Sequence, residues 1–467
     1  MDKNELGFNQ ISRSDIFWGY VAQVFNIGAG LLLLPIILIY FTQAEVGLWF
    51  VFLTIGSLTQ LLELGFKPTI ARNTAYIISG AKDLKPYGIP NYDEVDGVVD
   101  KQLLSSLITT AKKIYLVVSL LGVIVITFGG GSYIITLIKD FSDPLSALIA
   151  WAFFSSGRIL NFYFGYVDSL LLGKGNVTKV NKVVIISKIA YISISVLAIM
   201  LGFGLVGLGV ATLISALIGR LVALSYLNRD ELLMQASSIK TGRQRIFSIL
   251  WPNTKKLGIV NIGAFLIQRF SVLLASSYLG LEVAASYGMT ITILMTLMAV
   301  SSTICQVHVP LLSHLQSKNK KEEIKSVLGE IYLISWFVFF IGLALMISVG
   351  NLLLGLIGSD TEFLPDYLVL MLGIFLFLEL THSVSATYIT TTNNIPFLKS
   401  ALWSGLFVAV AGFLLVQPLG VLGLILAQGT VQLAYNNWKW PLAALNDLND
   451  NLINVLYLGT LRIKSRL

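Results

Sequence analysis

Long apolar runs separated by short polar stretches make up almost the whole chain. Twelve of them approach or exceed the roughly 20 residues needed to cross a hydrocarbon core: 16–41, 47–66, 114–137, 145–172, 183–203, 205–227, 257–279, 283–311, 327–357, 367–390, 400–416 and 421–438. None alternates apolar and polar positions over about ten residues, as a barrel strand would. Each run is therefore predicted to be a helix, and the chain an all-α integral membrane protein. The first run is longer than the apolar core of a signal peptide and no small-residue cleavage site follows it, so it is read as a retained span.

Composition agrees with that pattern. The 467 residues are 55% hydrophobic and 12% charged, where a soluble domain is about a quarter charged. The net charge of +7 would ordinarily raise nucleic acid as a partner, but the placement of the basic residues gives a different reading. Of 32 Lys and Arg, 27 fall at the two ends and in alternate connections, while the other connections hold only Lys139. Basic loops stay in the cytoplasm, so both termini are assigned there, the number of spans is even, and no nucleic acid partner is expected. The single cysteine, Cys305, lies in an apolar run and excludes an intramolecular disulfide or a cysteine metal cage.

The outer connections are very short, Thr42–Val46 and Leu279–Glu282 among them, which leaves no room for an external domain. The inner connections 67–113 and 228–256 are longer and mixed in charge, as surface-lying amphipathic helices would be. The second one divides the chain into a six-helix lobe at 1–227, a linker at 228–256, a second six-helix lobe at 257–440 and a cytoplasmic tail at 441–467.

The two lobes echo each other. Asn26-Ile27-Gly28-Ala29 recurs as Asn261-Ile262-Gly263-Ala264, each followed by a Tyr and a Glu-Val pair at the outer turn (Tyr40, Glu45-Val46; Tyr278, Glu282-Val283). Gly204-Leu205-Val206-Gly207-Leu208 likewise resembles Gly420-Val421-Leu422-Gly423-Leu424. Such duplication is found in transporters whose site lies between lobes. Gly202, Gly204 and Gly207 also fit the dinucleotide pattern GxGxxG, but no βαβ unit surrounds them; tight turning and close helix approach explain these glycines better.

Ionisable residues at mid-membrane are costly and so carry functional information. Arg158, Asn161, Gly165 and Asp168 follow one another at spacings that put all four on one face of a continuous helix. Gln268-Arg269 sits mid-way along the seventh span, and Glu379, His382 and Ser383 share a face of the tenth. Arg269 and Glu379 could instead form a buried pair holding helices together, and Lys188 and Arg220 could snorkel to the inner surface. Four embedded bases against two acids, Asp168 and Glu379, favour an anionic substrate such as a phosphate or acidic sugar. A pump for organic cations would show the opposite balance. Asp168, Glu379 and His382 are the candidates for coupling transport to an ion gradient. His308 and His314 show no metal-ligand spacing, no cofactor is implied, and Pro35 and Gly129-Gly130-Gly131 are candidate hinges.

The chain resembles the polysaccharide-transport branch of the multidrug/oligosaccharidyl-lipid/polysaccharide exporter superfamily, the bacterial O-antigen flippases. The resemblance runs through nearly the whole chain. It is carried by Gly47-Leu48-Trp49, Leu64-Gly65-Phe66, Arg72, Tyr76, Gly80-Ala81-Lys82, Lys256-Leu257-Gly258, Phe265-Leu266, Arg269, Tyr287-Gly288, Pro310 and Trp438-Lys439-Trp440-Pro441. It implies about twelve transmembrane helices in two six-helix lobes around a central cavity, in a bacterial inner membrane. The implied activity is translocation of an undecaprenyl-pyrophosphate-linked oligosaccharide, without enzymatic chemistry, with the lipid-linked substrate, the bilayer and other polysaccharide-assembly membrane proteins as partners. On that reading the cavity residues are Arg158, Asn161, Asp168, Gln268, Arg269, Glu379 and His382. A multidrug or organic-cation antiporter depending on Asp168 or Glu379 is the alternative. A polytopic enzyme of polysaccharide assembly is a third reading, which the short outer loops disfavour.

Overall fold

The computed structural model describes residues 13–86, 99–139, 141–239, 246–392 and 396–465. Parts of the two long inner connections, 87–98 and 240–245, thus lie outside the described residues. Among those described, helix is the only extended secondary structure.

The first apolar segment is one helix, α1 (Arg13–Tyr40). The second is broken into α2 (Gln43–Gly56), α3 (Leu58–Glu63) and α4 (Phe66–Ile78). The third joins α5 (Lys101–Gly122), a π-helical stretch Val123–Gly130 and α6 (Gly131–Leu137), and the fourth joins α7 (Pro144–Tyr163) to α8 (Gly165–Gly173). Helices α9 (Val177–Met200) and α10 (Gly204–Asn228) follow, then a short α11 (Glu231–Ser238). The seventh segment is α12 (Ile246–Gln268) with α13 (Phe270–Tyr278). Next come α14 (Leu281–Ser317), α15 (Lys321–Leu356) and α16 (Asp366–Thr390). The run α17 (Leu398–Ala434) reverses at Gly420 and supplies the last two crossings, followed by α18 (Asn436–Asp447) and α19 (Leu452–Lys464). Among the described residues, eleven continuous runs are long and apolar enough to span a membrane; counting α17 as two gives twelve.

Helix starts follow local chemistry. The carboxylate of Asp100 accepts from the backbone of Gln102 and Leu103, each at 2.9 Å, and begins α5. Asp143 does the same for Ser146 ahead of Pro144, whose missing amide costs nothing in the first turn. The chain forms two compact units. One holds residues 1–41 and 52–261, the other 42–51 and 262–467. In the first unit Leu104, Leu107, Val167, Leu170 and Leu171 form a core with no exposure.

The duplicated glycines have the same backbone role in each unit. Gly204 and Gly420 both adopt positive φ, 50° and 58°, a region open to glycine and costly to other residues. Three residues on, Gly207 and Gly423 lie so close to the preceding helix that a side chain would strike Ala198 or the Leu415 carbonyl. The other echo differs: Gly263 is pressed against the backbone of Ala401, whereas Gly28 has open space beside it.

Of the candidate hinge, Gly129 and Gly130 end the π-helical stretch and Gly131 begins α6. There the Trp151 indole donates to the Thr127 carbonyl at 3.2 Å. A side chain at Gly130 would strike Trp151 and Ile55. A wide turn frees carbonyls from the regular ladder, and the indole supplies a partner for one of them.

Candidate functional site

In the first unit, Arg158 on α7 points at the break between α2 and α3. Its Nη2 donates to the Gly56 carbonyl at 3.0 Å and approaches Thr59 Oγ1 at 3.5 Å. Gly56 permits this, because a Cβ there would sit 2.8 Å from the Phe154 ring and 3.2 Å from Arg158 Nε. That Nε is buried with no hydrogen-bond partner, and among the described residues no carboxylate lies within ion-pair distance of the guanidinium. Its charged neighbourhood on α9 is Lys188, with Tyr191 alongside.

Arg158, Asn161, Gly165 and Asp168 do not form the continuous stripe expected of one helix. The α-helical run stops at Tyr163 and restarts at Gly165, with Phe164 at φ −81° and ψ 5° between them, so Asn161 and Asp168 lie on two successive helical runs. Asn161 is exposed. Asp168 is 7% exposed and meets two bases, Arg220 Nη1 at 3.1 Å and Lys67 Nζ at 3.7 Å, both on Oδ2. Oδ1 has no hydrogen-bond partner, nor has Arg220 Nε. Arg220 thus does not snorkel to the surface; a buried carboxylate within reach holds it inside.

Two members of this cluster went unrecognised in the sequence. Lys67 opens what the periodicity marks as a loop, and Glu63 lies three residues before the end of the second span, 47–66. Leu64 and Gly65 both take left-handed conformations, φ 49° and 76°, and helix resumes beyond them, keeping Lys67 against the bundle. Glu63 Oε1 accepts from the Tyr115 hydroxyl at 3.1 Å. A charged pair four apart at the end of an apolar run was the available signal.

In the second unit, Glu379 on α16 is 5% exposed. It is held by two amides: Gln268 Nε2 reaches Oε1 at 3.1 Å and Gln428 Nε2 reaches Oε2 at 3.4 Å. Arg269 is not its partner. Arg269 occupies the irregular residue between α12 and α13, φ −126° and ψ −32°. Among the described residues it makes no ion pair.

Below Glu379 the polar ladder continues. His382 Nδ1 is buried without a partner, beside Asn437, whose amide is also unsatisfied. Asn436 links Gln432 at 2.8 Å, Ser404 at 2.9 Å and the Trp440 indole at 2.9 Å. Gln428 and Gln432 on the α17 run and Asn436 at the start of α18 recur every four residues, a polar spacing legible in the sequence and not singled out there. The described residues hold no cluster of three or more metal-binding side chains.

Neither a protein-family model nor a curated protein matches the chain. Solved structures do. One described as the inward-facing conformation of a multidrug resistance MATE family transporter of the MOP superfamily superposes with a TM-score of 0.70 at 13% identity, covering 92% of this chain and 95% of that one. The outward-facing conformation of such a transporter gives 0.57 at 15%, covering 100% and 99%. A MOP superfamily transporter from Pyrococcus furiosus, described as having a binding pocket of reverse polarity that suggests a different function, gives 0.55 at 15%, covering 97% and 100%. The fold of this chain is therefore that of the MATE transporters, a multi-pass membrane fold whose solved examples here are transporters rather than enzymes.

Proposed function

We propose that the protein is an alternating-access transporter of an amphiphilic anion, specifically a flippase for an undecaprenyl-pyrophosphate-linked oligosaccharide in a bacterial inner membrane. The observation that supports this most is Arg158, a half-buried guanidinium with a buried, unpartnered Nε, whose other partners are a carbonyl and a hydroxyl. A cation left without an acid in a low-dielectric setting favours an incoming anion, and the fork geometry of arginine suits phosphate oxygens. Arg269 offers a second cation of the same kind. Asp168, balanced by Arg220 and Lys67, adds no net negative charge to oppose it. The amides at Gln268, Gln428 and Asn437 can serve sugar hydroxyls, and Glu379 with His382 is the place where a proton or small cation would couple to transport.

A second reading, a multidrug or organic-cation antiporter, has the better support from fold, because the neighbours first described are multidrug transporters. Glu379, which no base balances among the described residues, is the residue that would serve it. Deleting the gene in a host that displays a surface polysaccharide, and complementing with Arg158→Ala or Arg269→Ala, separates the two. Loss of polymer with inner-leaflet lipid-linked oligosaccharide accumulating, uncorrected by either variant although both reach the membrane, is the expected result. Normal polymer with altered drug sensitivity would transfer the assignment to the antiporter.

A further inference from the structure

The C-terminal helix α19 is bound tightly on one face and bare on the other. Its bound face meets the beginning of α15. Gly459 and Gly329 are in backbone contact, and a Cβ on either would collide with the other helix. Arg462 Nε donates to Glu330 Oε2 at 2.7 Å. At the other end Lys325 Nζ lies 3.0 Å from Asp450, just before the Asn451 cap of α19. Nearby, Lys321 Nζ donates to the Asp447 carbonyl at 2.5 Å.

The opposite face carries Ile453, Tyr457 and Leu461, spaced by four and therefore in one stripe. They are 81%, 59% and 45% exposed. Three such residues on a helix with so few contacts elsewhere need a cover.

The length of α15 gives the depth at which this stripe lies. Glu330 is its last charged residue, and the 26 residues Ile331–Leu356 that follow are uncharged. At 1.5 Å per residue they extend about 39 Å, against about 30 Å of hydrocarbon. The crossing at Gly329 therefore falls within about 12 Å of the hydrocarbon boundary, in the headgroup layer, at the end of α15 that the charge bias assigns to the cytoplasm. Aromatic and basic residues collect there too. Trp438 and Leu442 are exposed on α18 with Tyr435 just before it, and Lys464 is exposed at the end of α19. Interfacial aromatics and terminal basic residues are what a helix lying in the headgroup plane uses.

We infer that α19 is an interfacial helix whose Ile453–Tyr457–Leu461 stripe is seated in the cytoplasmic leaflet, clamped to α15 through Gly329–Gly459 and the flanking ion pairs. The full chain, made cysteine-free by Cys305→Ser and carrying Tyr457→Cys labelled with an environment-sensitive fluorophore, tests this in phospholipid nanodiscs. Emission at position 457 should fall when the lipids carry a nitroxide near the glycerol end of the acyl chain and should resist aqueous iodide. The same label at Asn449, in the exposed turn before α19, should show the reverse. Adding Ile453→Asp and Leu461→Asp, which touch only the bare face, should abolish the lipid quenching at 457. Iodide quenching at 457 without a lipid effect would overturn the inference. So would emission that changes only on dilution with unlabelled copies, which would identify a second chain as the cover. The readout is lipid contact rather than transport, so it is independent of the function proposed above.

Discussion

Asp168 and Glu379 are each nearly fully buried, at 7% and 5% exposure, yet the two units neutralise them by opposite means. The first unit gives its carboxylate two bases, Arg220 and Lys67. The second surrounds its carboxylate with amides, Gln268 and Gln428. An amide donates a hydrogen bond but brings no compensating charge, so a carboxylate in the second setting must acquire a proton or a cation to be balanced. Under the function proposed above, the paired acid would act chiefly in helix packing, whereas the amide-held acid would be the one able to exchange what balances it.

The largest expected effect comes from removing the fixture. Asp168→Asn leaves Arg220 as a buried, uncompensated charge and should cost about 3–5 kcal/mol of stability, read as a lowered melting midpoint of the purified protein. Pairing it with Arg220→Met should restore most of the loss. Glu379→Gln should change stability far less, within about 1 kcal/mol, because an amide keeps an acceptor for Gln268 or Gln428; transport in vesicles should instead lose its response to the ion gradient. A Glu379→Gln protein as unstable as the Asp168→Asn one would erase the distinction between the two sites.

The smallest effect belongs to Asp450, outside the spans. Hydrogen bonds from Lys325, the Asn451 backbone and Asn454 hold its carboxyl below the usual carboxylate range. A carboxyl depressed on folding stabilises above its unfolded value of about 3.9 and loses that contribution as pH falls through the folded value. Docking of α19 should therefore be unchanged from neutral pH down to about pH 4 and loosen only below it, visible as faster amide exchange in α19 while α16 stays protected.

The apolar runs, the basic inner connections and the paired glycine turns at Gly204 and Gly420 were legible because each is a local property of the sequence. The site was legible in its members and less so in its wiring. Arg158, Asp168 and Glu379 stand out as charges in apolar runs, but the helical phase that would align Arg158 with Asp168 is interrupted near Phe164, and nothing in composition announces that interruption. Gln428 lies 49 positions from the acid it binds, a pairing that only the packing of α16 on the α17 run creates. Lys67 was read as loop because the apolar run ends at Phe66, whereas the chain stays helical past the left-handed pair Leu64 and Gly65.

The π-helical stretch in the third segment has a consequence for how that segment tolerates length changes. A π turn holds one residue more than an α turn of the same helix, and a single residue corresponds to about 100° of rotation about the axis. Val123–Gly130 therefore stores surplus chain, so that α5 and α6 are out of phase with the single unbroken helix their sequence could have formed. Loss of one residue among Gly129, Gly130 and Gly131 can be absorbed by winding the stretch into ordinary α-helix, with both flanking helices keeping the faces they now present. Gain of one residue has no such reserve to draw on, and the third segment is accordingly a place where the chain can shorten more easily than it can grow.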